Sequence, residues 1–302
     1  MSWVVYAFSG PVLWAISVHL DKYLVERFFK HSHVAVMLLF TAFAGVLLMP
    51  FIWLFQPSVT SAGARNIALI VCSGILYMSA LLLYLRALQA EEASVVAPYF
   101  QAGPLFGYAL AYLVLGETLT GRQLTGGILI LIGALIVSVR FDQGPRIFKA
   151  RLAALMLPCG FAMALSGLIF KIFAIEVEFW TTTFWMFAGE AVFGCALLLI
   201  PFYRREFMKM LRANTVALLS INGSNELINI GGGLGNRYAL MFAPLSLVQA
   251  IGSTTTLFVF AFGVVLSLVW PRLGREDLSG RELLQKGVAA VLVALGVALV
   301  TR

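Results

Sequence analysis

The sequence predicts an all-α integral membrane protein. Its ten transmembrane helices form two inverted five-helix repeats around a central cavity. Three observations carry this expectation. The first is composition: 61% of the 302 residues are hydrophobic, 12% are charged and mean hydropathy is +0.95, whereas soluble domains carry roughly 25% charged residues. The second is segment length, because the apolar runs extend for about 18–25 residues, the span that a bilayer core requires. These runs are continuous and do not alternate, which excludes a β-barrel. The third is internal order, since short blocks of the first half recur in the second.

The ten segments lie near 3–22, 33–55, 66–88, 93–116, 122–140, 152–174, 179–203, 214–235, 243–270 and 284–301. The first, Trp3 to Leu20, has no basic leader and no small-residue cleavage site, so it reads as a retained helix. The linkers are short, and no polar stretch exceeds about fifteen residues, too few for an independent soluble core. Several segments contain helix breakers: Pro98, Pro104, Pro158, Gly160, the glycines of 231–235 and Pro244. Such breaks survive in a membrane where protein or a wet cavity satisfies the freed backbone groups. Cys72, Cys159 and Cys195 lie within apolar runs and read as free thiols.

The repeat rests on three blocks in preserved order. Ala15-Ile16-Ser17 with Lys22 corresponds to Ala164-Leu165-Ser166 with Lys171. Ala87-Leu88 with Ser94 corresponds to Ala239-Leu240 with Ser246. Glu117-Thr118-Leu119-Thr120-Gly121-Arg122 corresponds to Glu276-Asp277-Leu278-Ser279-Gly280-Arg281. The units are 1–145 and 146–302. Five is odd, so the second unit enters the membrane in the opposite sense. That architecture places a transport site near the midplane between the halves.

Residues Pro98 to Gly133, PYFQAGPLFGYALAYLVLGETLTGRQLTGGILILIG, resemble the repeat of EamA-like transporters of the drug/metabolite transporter superfamily. The stretch GREDLSGRELLQKGVAAVLVALG resembles a divergent second copy. The resemblance covers essentially the whole chain. It implies a multi-pass protein of a prokaryotic inner membrane that moves small metabolites, often outward, and it implies no particular binding residues. The related four-helix multidrug branch uses a glutamate within its first helix. This chain has Trp14 and Ser17 there and Asp21 only near the predicted end, so that coupling scheme does not transfer. Orientation divides the two lines of reasoning. Of the 21 Lys and Arg, 16 fall on the side opposite the termini. The positive-inside rule therefore puts both termini outside the cytoplasm, whereas the resemblance implies cytoplasmic termini.

The strongest candidate site is NGSNELINIGGGLGN. Asn222, Asn225, Glu226 and Asn229 share one helix face at i, i+3, i+4 and i+7. A carboxylate within a spanning helix costs about 2.5–3.5 kcal/mol on insertion scales unless protonated, paired or hydrated. The alternative role for this face is hydrogen-bonded glue between helices. Gly231 and Gly235 give a GxxxG packing surface, and GGGLGN is no dinucleotide fingerprint because no strand precedes it. Glu190, in mid-segment, is either a protonated structural acid or a cavity-wall residue able to exchange a proton. Gln101 and Tyr108 on the fourth segment, and Gln249 and Ser253 on the ninth, offer further polar groups. Lys22 and Lys171, related by the repeat, either frame an anionic substrate or snorkel to head groups. Arg86 and Arg237 read as snorkelling too. Pairing of either with a buried glutamate would remove the argument for that glutamate as a proton switch.

These features predict a secondary transporter of a small polar or amphipathic metabolite, in a lipid bilayer, with protons as the candidate coupling ion. A flippase for a lipid-linked headgroup is the alternative, with Lys22 and Lys171 as its phosphate ligands. An embedded enzyme fits poorly, because the sequence has no metal-ligand cluster, Ser–His arrangement or catalytic carboxylate pair. No motif calls for a cofactor, a metal or nucleic acid.

Overall fold

The computed structural model describes residues 2–27, 34–90, 96–138, 150–213, 215–269 and 280–301, and among these there is no strand. The helices in chain order are α1 (Ser2–Arg27), α2 (Val34–Ala44), α3 (Met49–Phe55), α4 (Ala64–Ala90), α5 (Ala102–Leu115), α6 (Gly121–Ser138) and α7 (Ala150–Glu176). They continue with α8 (Phe179–Leu198), α9 (Pro201–Ala213), α10 (Thr215–Ala239), α11 (Leu245–Gly252), α12 (Thr255–Val269) and α13 (Gly280–Thr301).

Seven segments are long and apolar enough to cross a membrane: Trp3–Asp21, Val36–Phe55, Ala64–Ala87, Ala150–Glu176, Phe179–Leu198, Leu245–Leu266 and Leu283–Thr301. Tyr99–Leu115 and Gly121–Val137 are shorter apolar helices. Helix α10 has the length, at 25 residues, but its asparagines and Glu226 lower its hydropathy.

Local chemistry explains where the helices start and stop. Pro50 lies in the first turn of α3 and divides the second predicted segment, since proline supplies no N–H and restricts the residue before it. Gly116 ends α5 at φ 64°, a left-handed position that favours glycine. Thr120 opens α6 with a reciprocal capping box. Its hydroxyl accepts from the Gln123 N–H at 3.3 Å, and the Gln123 side chain accepts from the Thr120 N–H at 3.0 Å. The repeated block is thus a helix-start signal, and Ser279 with Glu282 has the same spacing in sequence. Glu178 caps α8 by accepting from the Thr181 N–H at 2.6 Å.

The seventh segment, like the second and the ninth, is divided. The seventh predicted segment runs to 203, but α8 stops at Leu198 and a separate helix, α9, begins at Pro201. Proline is favoured in a first turn, so it both ends one helix and starts the next. Phe207 of α9 packs on Phe40 of α2 with ring centroids 5.0 Å apart, while Arg204, Arg205, Lys209 and Arg212 give the helix its charge.

The helices pair extensively as α1 with α10, α4 with α7, α6 with α13, and α4 with α8. Close approach at glycine makes two of these pairings possible. Gly10, Gly232 and Gly235 bring α1 against α10, with Trp14, Leu13 and Ser9 filling the space. Gly74 and Gly189 bring α4 against α8 backbone to backbone, because a Cβ at Gly189 would strike the carbonyl oxygen of Val71. Gly189→Val is therefore expected to push α4 from α8 and to destabilise the protein by about 1–3 kcal/mol or more. Thermal melting in detergent measures this; an unchanged midpoint would show the contact to be dispensable. The largest buried cluster gathers Phe170, Phe173, Phe179, Met186, Leu240, Leu245 and Leu247 from α7, α8, α10, α11 and the turn between the last two. Leu47, Phe55, Leu113 and Leu199 lie on the outside, the apolar surface that lipid requires.

Candidate functional site

Helix α10 supplies the site. Asn222, Asn225 and Glu226 are buried, at 4%, 0% and 7% exposure, and Asn229 is half-buried. The face continues through Gly233 to Arg237, one turn at a time from Asn229. A Cβ at Gly233 would meet no atom within 4 Å, so no neighbouring helix packs against the stripe at that position. Glycines 231, 232 and 235 face Leu13, Trp14 and Ser9 of α1 instead, the packing role expected of that run.

Neighbouring helices complete the stripe. Thr41 of α2 donates to Glu226 Oε1 at 2.9 Å. Asn225 Nδ2 donates to Asp21 Oδ1 of α1 at 2.6 Å. Glu226 Oε2 and Asn225 Oδ1 are buried and accept no hydrogen bond. Asp21 was expected near a helix end, but α1 continues to Arg27, which makes Asp21 interior. Tyr77 of α4 lies within the electrostatic reach of Glu226, Glu190 and Arg237.

Glu190 and Arg237 are one unit. Arg237 Nη2 donates to Glu190 Oε1 at 3.0 Å, and both side chains are nearly buried. The guanidinium carbon stands 5.6 Å from the ring centroids of Tyr77, Phe170 and Phe187, a cation–π cage. Two readings change as a result. Arg237 does not snorkel to head groups, because its face of α10 turns into the bundle. Glu190 is not a free proton switch, because a fixed cation holds it. Glu226 and Arg237 are eleven residues apart, about 16 Å along the helix axis, so the stripe has an acidic end and an ion-paired end.

Lys171 is also committed. It is buried at 5% exposure, donates to Glu117 and donates to the carbonyl of Ala243 at 2.6 Å. Glu117 Oε2 in turn accepts from the Leu245 N–H at 3.2 Å. Lys171 therefore neither reaches head groups nor presents a free cation to an anion. It ties the loop after α5 to the turn before α11. The side chain of Lys22 lies outside the described residues. Arg86 is exposed beside Gln89 and Arg151 at the helix ends, as expected for a head-group contact.

The polar residues of α5 and α11 do not join the stripe by any contact described. Gln249 packs against Gly107 of α5, where a Cβ would strike its side-chain oxygen, and lies 3.6 Å from the Cβ position of Gly167 on α7. The side-chain oxygens of Gln249 and Gln101 are buried without partners. Tyr108 is 37% exposed and stacks on the more exposed Tyr112 with centroids 6.3 Å apart, so it belongs to the outer face. Ser253 donates to the Ala250 carbonyl at 2.6 Å, and Thr254 and Thr255 donate to the Ile251 and Gly252 carbonyls. These hydroxyls satisfy the backbone where α11 breaks into α12.

Sequence reasoning missed Asp21, Thr41, Tyr77, Glu117 and Arg237 as members of these constellations. Arg237 had a legible signal, since it continues the 222–229 stripe by two turns. Thr41 and Glu117 had none, because their partners are 185 and 54 residues away.

Comparison with known proteins bears on the same chain. The family model of the EamA-like transporter family matches residues 1–139. An uncharacterized protein of Methanocaldococcus jannaschii, MJ1333.1, is 33% identical over 95 residues, which cover 32% of this chain and 69% of that protein. A solved crystal structure superposes with a TM-score of 0.71 at 14% identity, over 99% of this chain and 96% of its own. At that identity the likeness speaks for the fold alone.

Proposed function

The chain belongs to the EamA-like transporter family and is a membrane transporter of small molecules; from that premise we propose that it is a secondary transporter of a small polar or amphipathic solute, working by alternating access along the α10 stripe. The observation that carries this reading is the file of buried Asn225 and Glu226 with half-buried Asp21 and Thr41, with unpaired acceptor oxygens, on the helix face that continues to Gly233. A structural stripe would pair its polar atoms, since an orphaned buried group costs about 1–3 kcal/mol.

Two five-helix units, 1–145 and 146–302, make up the transporter, and ten crossings follow from them. The helix pairing supports this division. With α1 equivalent to α7 and α4 equivalent to α10, the pair α1–α10 becomes α7–α4, and both pairings are extensive. MJ1333.1 adds support, because the shared stretch is 32% of this chain but 69% of that protein, which is therefore less than half as long. Glu226 is the candidate for proton coupling. A lipid-headgroup flippase loses one of its two proposed phosphate ligands, since Lys171 is held by Glu117. Both membrane orientations remain compatible with the transport route.

Counterflow in proteoliposomes, with solutes chosen by a thermal-shift screen, tests the reading. Glu226→Gln is expected to abolish uphill, proton-driven uptake while leaving the fold intact. Full uphill transport by that variant would sink the coupling role, though not transport itself. Gly233→Phe is expected to put a ring on the stripe's face and stop transport. It should leave the melting temperature unchanged or raised, since glycine costs about 1 kcal/mol in a helix interior. Normal flux through Gly233→Phe would move the route elsewhere.

A further inference from the structure

The ion pairs inside the bundle leave one acidic site without a counter-ion. Glu117 has Lys171, and Glu190 has Arg237. Among the described residues, Asp21 and Glu226 have no cation partner. They lie on α1 and α10, the most extensively packed pair in the fold, and each is within electrostatic reach of the other. The remaining polar and titratable groups facing them are Ser17 of α1, Thr41 of α2, Tyr77 and Tyr84 of α4, Glu190 of α8 and Asn229 of α10. None of these is a cation.

A second observation is independent of charge. Asn225 is fully buried and turns its amide nitrogen to Asp21, so its carbonyl oxygen is the atom left over. Glu226 takes the Thr41 hydroxyl on one oxygen; the other accepts no hydrogen bond of good geometry, with the Asn229 side chain as its nearest donor. Both orphan atoms are acceptors. A buried acceptor needs a donor, and a buried carboxylate needs a cation. One chemical group answers both demands, an ammonium with N–H bonds.

We propose that the Asp21–Asn225–Glu226 site binds a small organic ammonium ion, whose N–H groups donate to Glu226 Oε2 and Asn225 Oδ1 and whose positive charge offsets that of the carboxylates, one ammonium in part and a diammonium in full. This rests on the transporter reading and names its substrate class. Anionic substrates find no free cation among the described residues of the stripe, since Lys171 and Arg237 are both paired. A cation without N–H donors meets the charge but leaves the acceptors orphaned, so it binds poorly. A primary amine or diamine meets both.

The test uses the full-length protein. Binding of 1,4-diaminobutane to protein in nanodiscs is followed by calorimetry, and its uptake by proteoliposomes is followed with radiolabel. Saturable binding is expected, with tetramethylammonium failing to compete. Glu226→Gln, Asp21→Asn and Asn225→Leu should each weaken binding about tenfold or more, the loss of a charge-assisted hydrogen bond. Competition on the unaltered protein keeps the test valid if a variant misfolds. Equal competition by tetramethylammonium or sodium would overturn the donor argument. A tenfold gain in affinity on Lys22→Gln would show that lysine already fills the site, and would overturn the proposal. Exchange of neutral or anionic solutes with no amine binding would overturn the substrate class and keep the transporter. Absence of exchange for any solute would overturn both.

Discussion

Arg237→Met is expected to destabilise the protein by about 3–5 kcal/mol, the penalty for leaving a buried charge without its partner. The substitution keeps most of the side-chain length, so packing against Tyr77, Phe170 and Phe187 is largely preserved. What it removes is the cation beside Glu190, whose side chain is 6% exposed. The double variant Glu190→Leu with Arg237→Met should recover most of the loss, because replacing both members of a buried pair by apolar groups is often neutral or stabilising. A double-mutant cycle on thermal or denaturant unfolding in detergent isolates the coupling. If Arg237→Met melts with the unaltered protein, the pair is not an essential contact and Glu190 regains its candidacy as a titrating group. The result bears on the proposed coupling, because it tests whether Glu190 could share with Glu226 the proton-carrying role proposed above.

The second large effect is expected at Lys171. Lys171→Met leaves the half-buried Glu117 with only the Leu245 N–H as a donor, and should cost about 3 kcal/mol, the low end for a broken buried pair, since water reaches Glu117. Glu117→Leu should cost a similar amount from the opposite side, because Lys171 keeps only the Ala243 carbonyl. The two variants differ in one local readout. In Lys171→Met the Leu245 amide retains its acceptor, whereas in Glu117→Leu that acceptor is gone. Hydrogen exchange at Leu245 should therefore accelerate more in Glu117→Leu than in Lys171→Met. Equal exchange in both would show that the turn is held by its surroundings and not by the carboxylate. The contact joins the loop after α5 to the turn before α11, so the movement of units 1–145 and 146–302 proposed above would have to stretch or break it. A loosened pair is expected to alter transport turnover as well as stability.

Much of the fold was legible because a bilayer imposes simple rules. Seven of the ten predicted segments fall on helices long and apolar enough to cross a membrane, and the other three fall on shorter or more polar helices, since length and apolarity are local properties of the chain. The breaks were only partly legible: Pro98 and Pro244 stand at helix starts, but α7 runs unbroken through Pro158 and Gly160 and α10 through the 231–235 glycines, while the breaks at Pro50, Gly116 and 253–255 lie outside the predicted set. Helix α9 was missed because its short basic run looks like any polar linker until Phe207 is seen to pack on Phe40.

The site divides the same way. Periodicity alone gathered Asn222, Asn225, Glu226 and Asn229 on one face, because side-chain direction along a helix is set by the 3.6-residue turn. It could have added Gly233 and Arg237 by the same step. Nothing local could reveal that Arg237 holds Glu190, 47 residues away, or that Asp21 meets Asn225 across 204 residues. Nor could it show that Tyr108 turns outward while Gln249 is buried against Gly107.

Sequence by itself determined that this is a helical membrane protein, where most of its helices lie, and which face of α10 is polar. All three follow from short-range pattern and the cost of placing polar groups in hydrocarbon. Tertiary structure decided which charges are neutralised and which are left over. That depends on which helix packs against which, and only the folded bundle assigns Lys171 to Glu117 and Arg237 to Glu190, leaving Asp21 and Glu226 with no cation among the described residues.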